Sequence, residues 1–236
     1  MVELQAPAKL TVTLRVTGVR PDGYHLIDAE MVSLDFADVL TIDEDGTSVR
    51  YRIGGEERSA PEGDLVASAL RRIGRVAGVV VDKRIPAGAG LGGGSSDAAA
   101  ILRWADAQDP NLAASIGADV AFCIKGGRAR VRGIGEVLEP LPFSERVYTL
   151  LTPPVHASTP VVYKAWDALG GPSGDNGNDL EPAALFAYPE LARWRDDLTA
   201  ATGQQARLAG SGSTWFVEGE FPGSGRVVAR TIPAFD

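Results

Sequence analysis

The stretch P-A-G-A-G-L-G-G-G-S-S-D-A-A-A, from Pro86 to Ala100, places five glycines in seven positions and runs straight into a helix start. Glycine tolerates positive φ and lets the backbone approach a ligand closely, so successive N–H groups can converge on one anion. Ser95 and Ser96 open the helix, in which Ala98, Ile101, Leu102 and Ala105 share one face. Its unpaired N-terminal N–H groups and its dipole point back at the loop, so an anion there is stabilised without a basic side chain. Phosphate binding is the chemistry expected of this segment. A turn that only joined a strand to a helix would need one or two glycines.

Other phosphate and dinucleotide motifs fit less well. Gly88, Gly90 and Gly93 satisfy G-x-G-x-x-G, but a dinucleotide fold needs an acidic residue ending a second strand about 20 residues on. Asp106 and Asp109 follow a helix instead. No Gly-Lys-Ser or Gly-Lys-Thr follows the glycines, and the H-R-D and D-F-G signatures of protein kinases are absent. The R-A-R-V-R run from Arg128 to Arg132 reads as a strand with a solvated basic face, a row of phosphate-facing arginines being the lesser alternative.

Around this loop the elements mix irregularly. Leu10 to Thr17 alternates apolar and polar residues, as a half-buried strand does. Val32 to Ile42 holds more strand, broken around Phe36 to Asp38, and Val49 to Ile53 is a short strand followed by a polar loop. Asp64 is placed to cap a helix containing Leu65, Ala69 and Ile73, and Val79 to Val81 form the strand that enters the glycine loop. A second region starts near Phe143. It reads as a strand over Val147 to Leu151, a helix over Val161 to Leu169, a loop over Gly170 to Asn178, a helix over Pro189 to Ala201, and a strand, turn and strand over Arg207 to Val217. This order suggests α+β rather than a regular parallel sheet.

Composition sets the outer limits. A chain of 236 residues can bury a large core in one or two domains. A formal charge of −8 argues against nucleic acid or an anionic membrane surface as the main partner. The lone Cys123 cannot form an internal disulfide, and the start M-V-E-L-Q-A-P lacks the features of a secretion signal, so a cytoplasmic setting is expected. No apolar run approaches the ~18 residues of a membrane span.

Together with A-P-A-K-L-T at Ala6 to Thr11, D-G-Y-H at Asp22 to His25, G-A-D-V-A-F at Gly117 to Phe122 and L-A-G-S-G-S at Leu208 to Ser213, the glycine loop resembles the motifs of the GHMP kinases. That family includes galactokinase, homoserine kinase, mevalonate kinase and phosphomevalonate kinase. The D-G-Y-H and G-A-D-V-A-F segments narrow the resemblance to members that phosphorylate the 2-hydroxyl of a cytidine-diphosphate-linked polyol in non-mevalonate isoprenoid synthesis. The alternatives are another small-molecule GHMP kinase or a non-catalytic nucleotide binder.

The resemblance implies a two-lobed α+β GHMP kinase fold, with a ribosomal-protein-S5-like domain over 1–143 and a ferredoxin-like domain over 144–236. It places Asp119 as the base at the acceptor hydroxyl and Lys9 beside it. Read alone, Asp119 could cap a turn after Gly117, and Lys9 could be a solvated strand lysine. ATP would lie on Pro86, Ala87, Gly88, Ala89, Gly90, Leu91, Gly92, Gly93, Gly94, Ser95 and Ser96, with Mg²⁺ held mostly by phosphate oxygens and water and its protein ligands unassigned. Thr11, Tyr24, His25 and Tyr163 would bind the acceptor, with Tyr24 and Tyr163 on opposite faces of its cytosine and His25 at its polar edge. Read without the family, Tyr163 is a core residue. Asn178 and Asp179 match a further segment of unassigned role.

Two departures from the family pattern stand out. Thr11 occupies the place of a usual Asn, and the chain is shorter between Gln108 and Asn111 and after Phe221, on the adenine side and at the end of the second domain. The expected partners are small molecules only, with neither nucleic acid nor membrane, and the expected assembly is a monomer or weak homodimer.

Overall fold

A computed structural model describes residues 1–235. Two long strands, β1 (Val2–Val19) and β2 (His25–Asp43), form an antiparallel hairpin around the Pro21–Tyr24 turn. Along its other edge β2 pairs with β5 (Gly78–Asp82) near its end and with β6 (Arg128–Gly133) near its start. The hairpin strands β3 (Val49–Ile53) and β4 (Glu56–Ser59) extend the sheet beyond β5, and β7 (Val137–Pro140) extends it beyond β6.

Helices α1 (Leu65–Arg72), α2 (Gly93–Trp104), α3 (Pro110–Ile116) and α4 (Val120–Lys125) cover one face of this seven-stranded sheet. The remaining chain builds a four-stranded antiparallel sheet from β8 (Val147–Leu151), β9 (Arg207–Leu208), β10 (Trp215–Glu218) and β11 (Arg226–Arg230), in the order β11-β8-β10-β9. Helices α5 (Thr159–Ala168), α6 (Glu181–Ala187) and α7 (Leu191–Thr202) accompany it. Among the described residues no helix is long and apolar enough to cross a membrane.

The two sheets meet through β1, which corrects the half-buried reading of Leu10 to Thr17 over its first three residues. Further on the alternation holds, with Leu14 buried and Arg15 and Thr17 exposed. Every residue from Ala6 to Val12 is buried. Ala8, Leu10 and Val12 pack with Tyr148, Leu150 and Phe216 of the second sheet, while Ala6 and Leu14 join the core beneath α2. With both faces covered, alternation no longer separates core from solvent, and the polar residues left in the strand are held inside the molecule.

The break read in Val32–Ile42 is a register shift within a continuous strand. Pro7 pairs with Ala37 but Lys9 pairs with Ser33, so β2 carries extra residues opposite Ala8. The polar loop after Ile53 contains β4, whose charged side chains are all exposed and therefore give no apolar signal. Asp64 caps α1 as expected, its carboxylate accepting from the Ala67 N–H at 2.8 Å. The basic strand β6 has the solvated face. Arg128, Arg130 and Arg132 pair with Glu30, Asp28 and Glu139 on its neighbours, and Arg130 holds the Asp28 carboxyl below its usual range.

Candidate active site

The glycine loop lines a cleft of about 1090 Å³ together with residues of the first sheet, α5 and the Gly210–Ser211 turn. Strand β5 feeds it, and α2 begins with Gly92 at the N-cap in a left-handed conformation, φ 67°. No side chain caps this helix, so the first-turn N–H groups remain available to a ligand anion. The loop is fixed from two sides. Its Leu91 carbonyl accepts from the Lys9 N–H at 2.9 Å, and its Ala89 carbonyl accepts from the Thr214 N–H at 3.1 Å. Gly90, at φ 77°, lies so close to the Leu208–Ser213 turn that a Cβ would come within 2.6 Å of the Gly212 carbonyl oxygen and 2.7 Å of that of Ala209.

Lys9 crosses directly over Gly92, where a Cβ would meet its Cγ at 2.6 Å. Its ammonium donates to the Thr11 hydroxyl at 3.1 Å and lies 3.2 Å from the Asp119 carboxylate. Lys9 is 7% exposed in its side chain and Asp119 30%, so the pair is sheltered on one side and open to the cleft on the other. Asp119 occupies the N-cap position of α4 but caps nothing with its side chain, so the bland reading as a turn cap does not describe it. Lys9 is likewise a buried strand residue rather than a solvated one, because β1 is covered on both faces.

Of the eleven loop residues, Ser96 alone stays off the cleft wall. It is 1% exposed, and its hydroxyl donates to the Pro7 carbonyl at 2.6 Å, which ties α2 to β1 instead of facing a phosphate. Ser95 lines the cleft. At the far end of the cleft Tyr24 is exposed, while His25 is packed between Tyr163, with ring centroids 4.6 Å apart at 31°, and the edge of Trp166. One face of Tyr163 is thus against the His25 ring. Burial, with a smaller contribution from the Asp119 carboxylate, pushes the Tyr163 hydroxyl pKa up to about 12, so the phenol is neutral near pH 7.

Asn178 and Asp179 acquire a structural role. Asn178 donates to the Leu208 and Gly210 carbonyls, and Asp179 accepts from the Val16 N–H and pairs with Arg15. They join the turn that meets the glycine loop to the strand that carries Lys9.

Sequence reasoning missed a buried triad beside the loop. Lys83 lies between the fully buried carboxylates of Asp38 and Asp97, donating to Asp97 at 2.9 Å and also to Asp38. Asp38 further accepts from the Arg84 and Ile85 N–H groups, at 2.6 and 2.8 Å. Burial alone would lower the Lys83 pKa, but Asp97 and Asp38 more than reverse this and raise it. Burial raises that of Asp97 against the opposing pull of Lys83. No local pattern marks it, because the partners of Lys83 lie 45 and 14 residues away in the chain. Replacing Lys83 with Met leaves two buried carboxylates without their cation, and stability should fall by about 3–5 kcal/mol in urea denaturation. A loss below about 1 kcal/mol would show that the triad does not hold the loop base together.

The matches to known proteins agree with this geometry. Residues 64–127 match the family described as GHMP kinases N terminal domain. The chain is 40% identical over 231 residues to the 4-diphosphocytidyl-2-C-methyl-D-erythritol kinase of Paracoccus denitrificans, covering 89% of this chain and 84% of that one. It is 36% identical over 256 residues to the enzyme of that name from Thiobacillus denitrificans, covering 97% and 90%. Among solved structures, a 4-(cytidine 5'-diphospho)-2C-methyl-D-erythritol kinase superposes with a TM-score of 0.78 at 30% identity, over 98% of this chain and 99% of that one. A mevalonate kinase at 11% identity and a TM-score of 0.59 shares the fold. Identity at this level over nearly the whole length of both chains shows that this chain belongs to the 4-diphosphocytidyl-2-C-methyl-D-erythritol kinase family within the GHMP kinases.

Proposed function

We propose that this protein transfers the γ-phosphoryl group of ATP to the 2-hydroxyl of 4-diphosphocytidyl-2-C-methyl-D-erythritol, with Asp119 and Lys9 at the reacting hydroxyl. The observation that carries the reading is the 3.2 Å Lys9–Asp119 pair in the same cleft as an uncapped helix N-terminus. Asp119 accepts the hydroxyl proton as the acceptor oxygen attacks phosphorus and the bond to the β-phosphate oxygen breaks, releasing ADP. Lys9 orients the hydroxyl and offsets charge on the transferring group. The loop from Pro86 to Ser95 cradles the phosphates through its backbone. The Ser96 hydroxyl has no part in this, being committed to Pro7.

Mg²⁺ fits as an ion carried in by the nucleotide. Mg²⁺ prefers phosphate oxygens and water to an all-protein cage, so the nucleotide would supply most of its ligands. Ser95, which lines the cleft, would offer it a hydroxyl, and the bound ion would offset charge on the phosphates. Tyr24, His25 and Tyr163 form the cytosine end of the acceptor site, and Thr11, held by Lys9, lies between that end and the phosphates. The domains read over 1–143 and 144–236 are two lobes that supply opposite walls of this cleft.

The test is ADP release with 4-diphosphocytidyl-2-C-methyl-D-erythritol, mevalonate or homoserine as the acceptor. Release is expected with the first alone. Release with mevalonate or homoserine instead would assign the cleft to another GHMP kinase reaction, and release with none of them would leave a nucleotide-binding protein.

A further inference from the structure

The His25 ring is held on three sides by one helix. Tyr163 and Trp166 of α5 pack against it, and Asp167, from the last turn of the same helix, accepts at its Nε2 with a separation of 2.7 Å. The contact joins residues 142 apart in sequence, at the start of β2 and the end of α5. A carboxylate at a helix C-terminus sits against the negative end of the dipole, so helix stability does not account for an acid here.

We infer that Asp167 fixes the tautomer of His25 and so selects a base bearing an exocyclic amine over one bearing a carbonyl at that position. An ionised carboxylate only accepts, so the neutral ring must carry its proton on Nε2. Nδ1, which has no hydrogen-bond partner among the described residues, then offers a lone pair to the cleft that His25 lines. The 4-amino group of cytosine donates to that lone pair. The 4-carbonyl of uracil places oxygen against nitrogen with no proton between them. Asp167 is thus a positioning residue acting through His25, and this inference rests on the assignment of this end of the cleft to the acceptor's base.

The test reads both the tautomer and the selectivity, using CDP and UDP as probes with the nucleotide site filled by a non-hydrolysable ATP analogue. Nitrogen-15 spectra of the wild-type ring should show the proton on Nε2, and CDP should bind more tightly than UDP. Asp167→Lys, whose ammonium only donates, should move the proton to Nδ1 and reduce the CDP-to-UDP affinity ratio about tenfold, the scale of one hydrogen bond. Any general attraction of the added charge for diphosphates cancels in the ratio. Asp167→Asn can turn its oxygen to the ring and should keep the wild-type tautomer and ratio.

Asp167 is 52% exposed, so the substitutions do not open the core, and unchanged affinity for the ATP analogue confirms the fold. A wild-type proton on Nδ1, or a ratio that survives Asp167→Lys, overturns the inference while leaving the acceptor assignment standing. Wild-type protein that binds neither CDP nor UDP overturns both.

Discussion

Asp119→Asn is expected to lower kcat by about 10²–10⁴-fold while the affinities for ATP and for the acceptor stay within a few-fold of wild type. Asn keeps the size and one oxygen of the carboxylate but cannot take the hydroxyl proton. The carboxylate makes no helix-cap hydrogen bond, and Lys9 keeps the Thr11 hydroxyl and the Asn oxygen as partners, so the variant is expected to fold. Single-turnover phosphoryl transfer at saturating concentrations of both substrates isolates the chemical step. A normal rate would remove Asp119 as the base and leave Lys9 as a charge fixed near the phosphates for binding alone.

Gly90→Val should have the second large effect, and on a different quantity. At φ 77° a β-branched residue is strained, and its Cβ would lie 2.6–2.7 Å from two carbonyl oxygens of the facing turn. The turn or the loop must move, so the first-turn N–H groups of α2 no longer converge. ATP affinity should fall by about 10²-fold, the equivalent of about 2.7 kcal/mol in binding, while acceptor binding at the His25 end is largely retained. Equilibrium titration of each ligand separates the two. Unchanged ATP affinity in a folded Gly90→Val protein would move the phosphate site elsewhere in the cleft.

Much of this site was legible before any coordinates because its parts are local. The glycine loop and the helix after it are contiguous, and the capping Asp64 lies next to the helix it starts. Neighbours in space but not in sequence were harder to read. The burial of Lys9 depends on a second sheet that covers β1 from the other side. The pairing of Lys83 with Asp38 and Asp97 depends on where β2 passes the loop, which the residues around Asp38 do not reveal. Asp167 meets His25 only after α5 has docked on the first hairpin. Short elements such as α3, α4 and α6 carry too few turns for periodicity to register, and β4 has no buried side chain. Ser96 differs from Ser95 by a single step around the helix, and only the position of Pro7 decides which hydroxyl points inward.

The bond from the Thr214 N–H to the Ala89 carbonyl closes a loop of about half the chain, and the approach of Gly90 to Gly212 tightens it. Contacts of such long separation in sequence form late in folding, because the entropy of closing the loop is spent before the contact rewards it. The loop junction draws on both parts of the chain, the Lys9–Leu91 bond coming from β1 and the Thr214–Ala89 bond from the segment entering β10. A ligand that binds the assembled junction and not the unfolded chain would draw the folding equilibrium toward the assembled state.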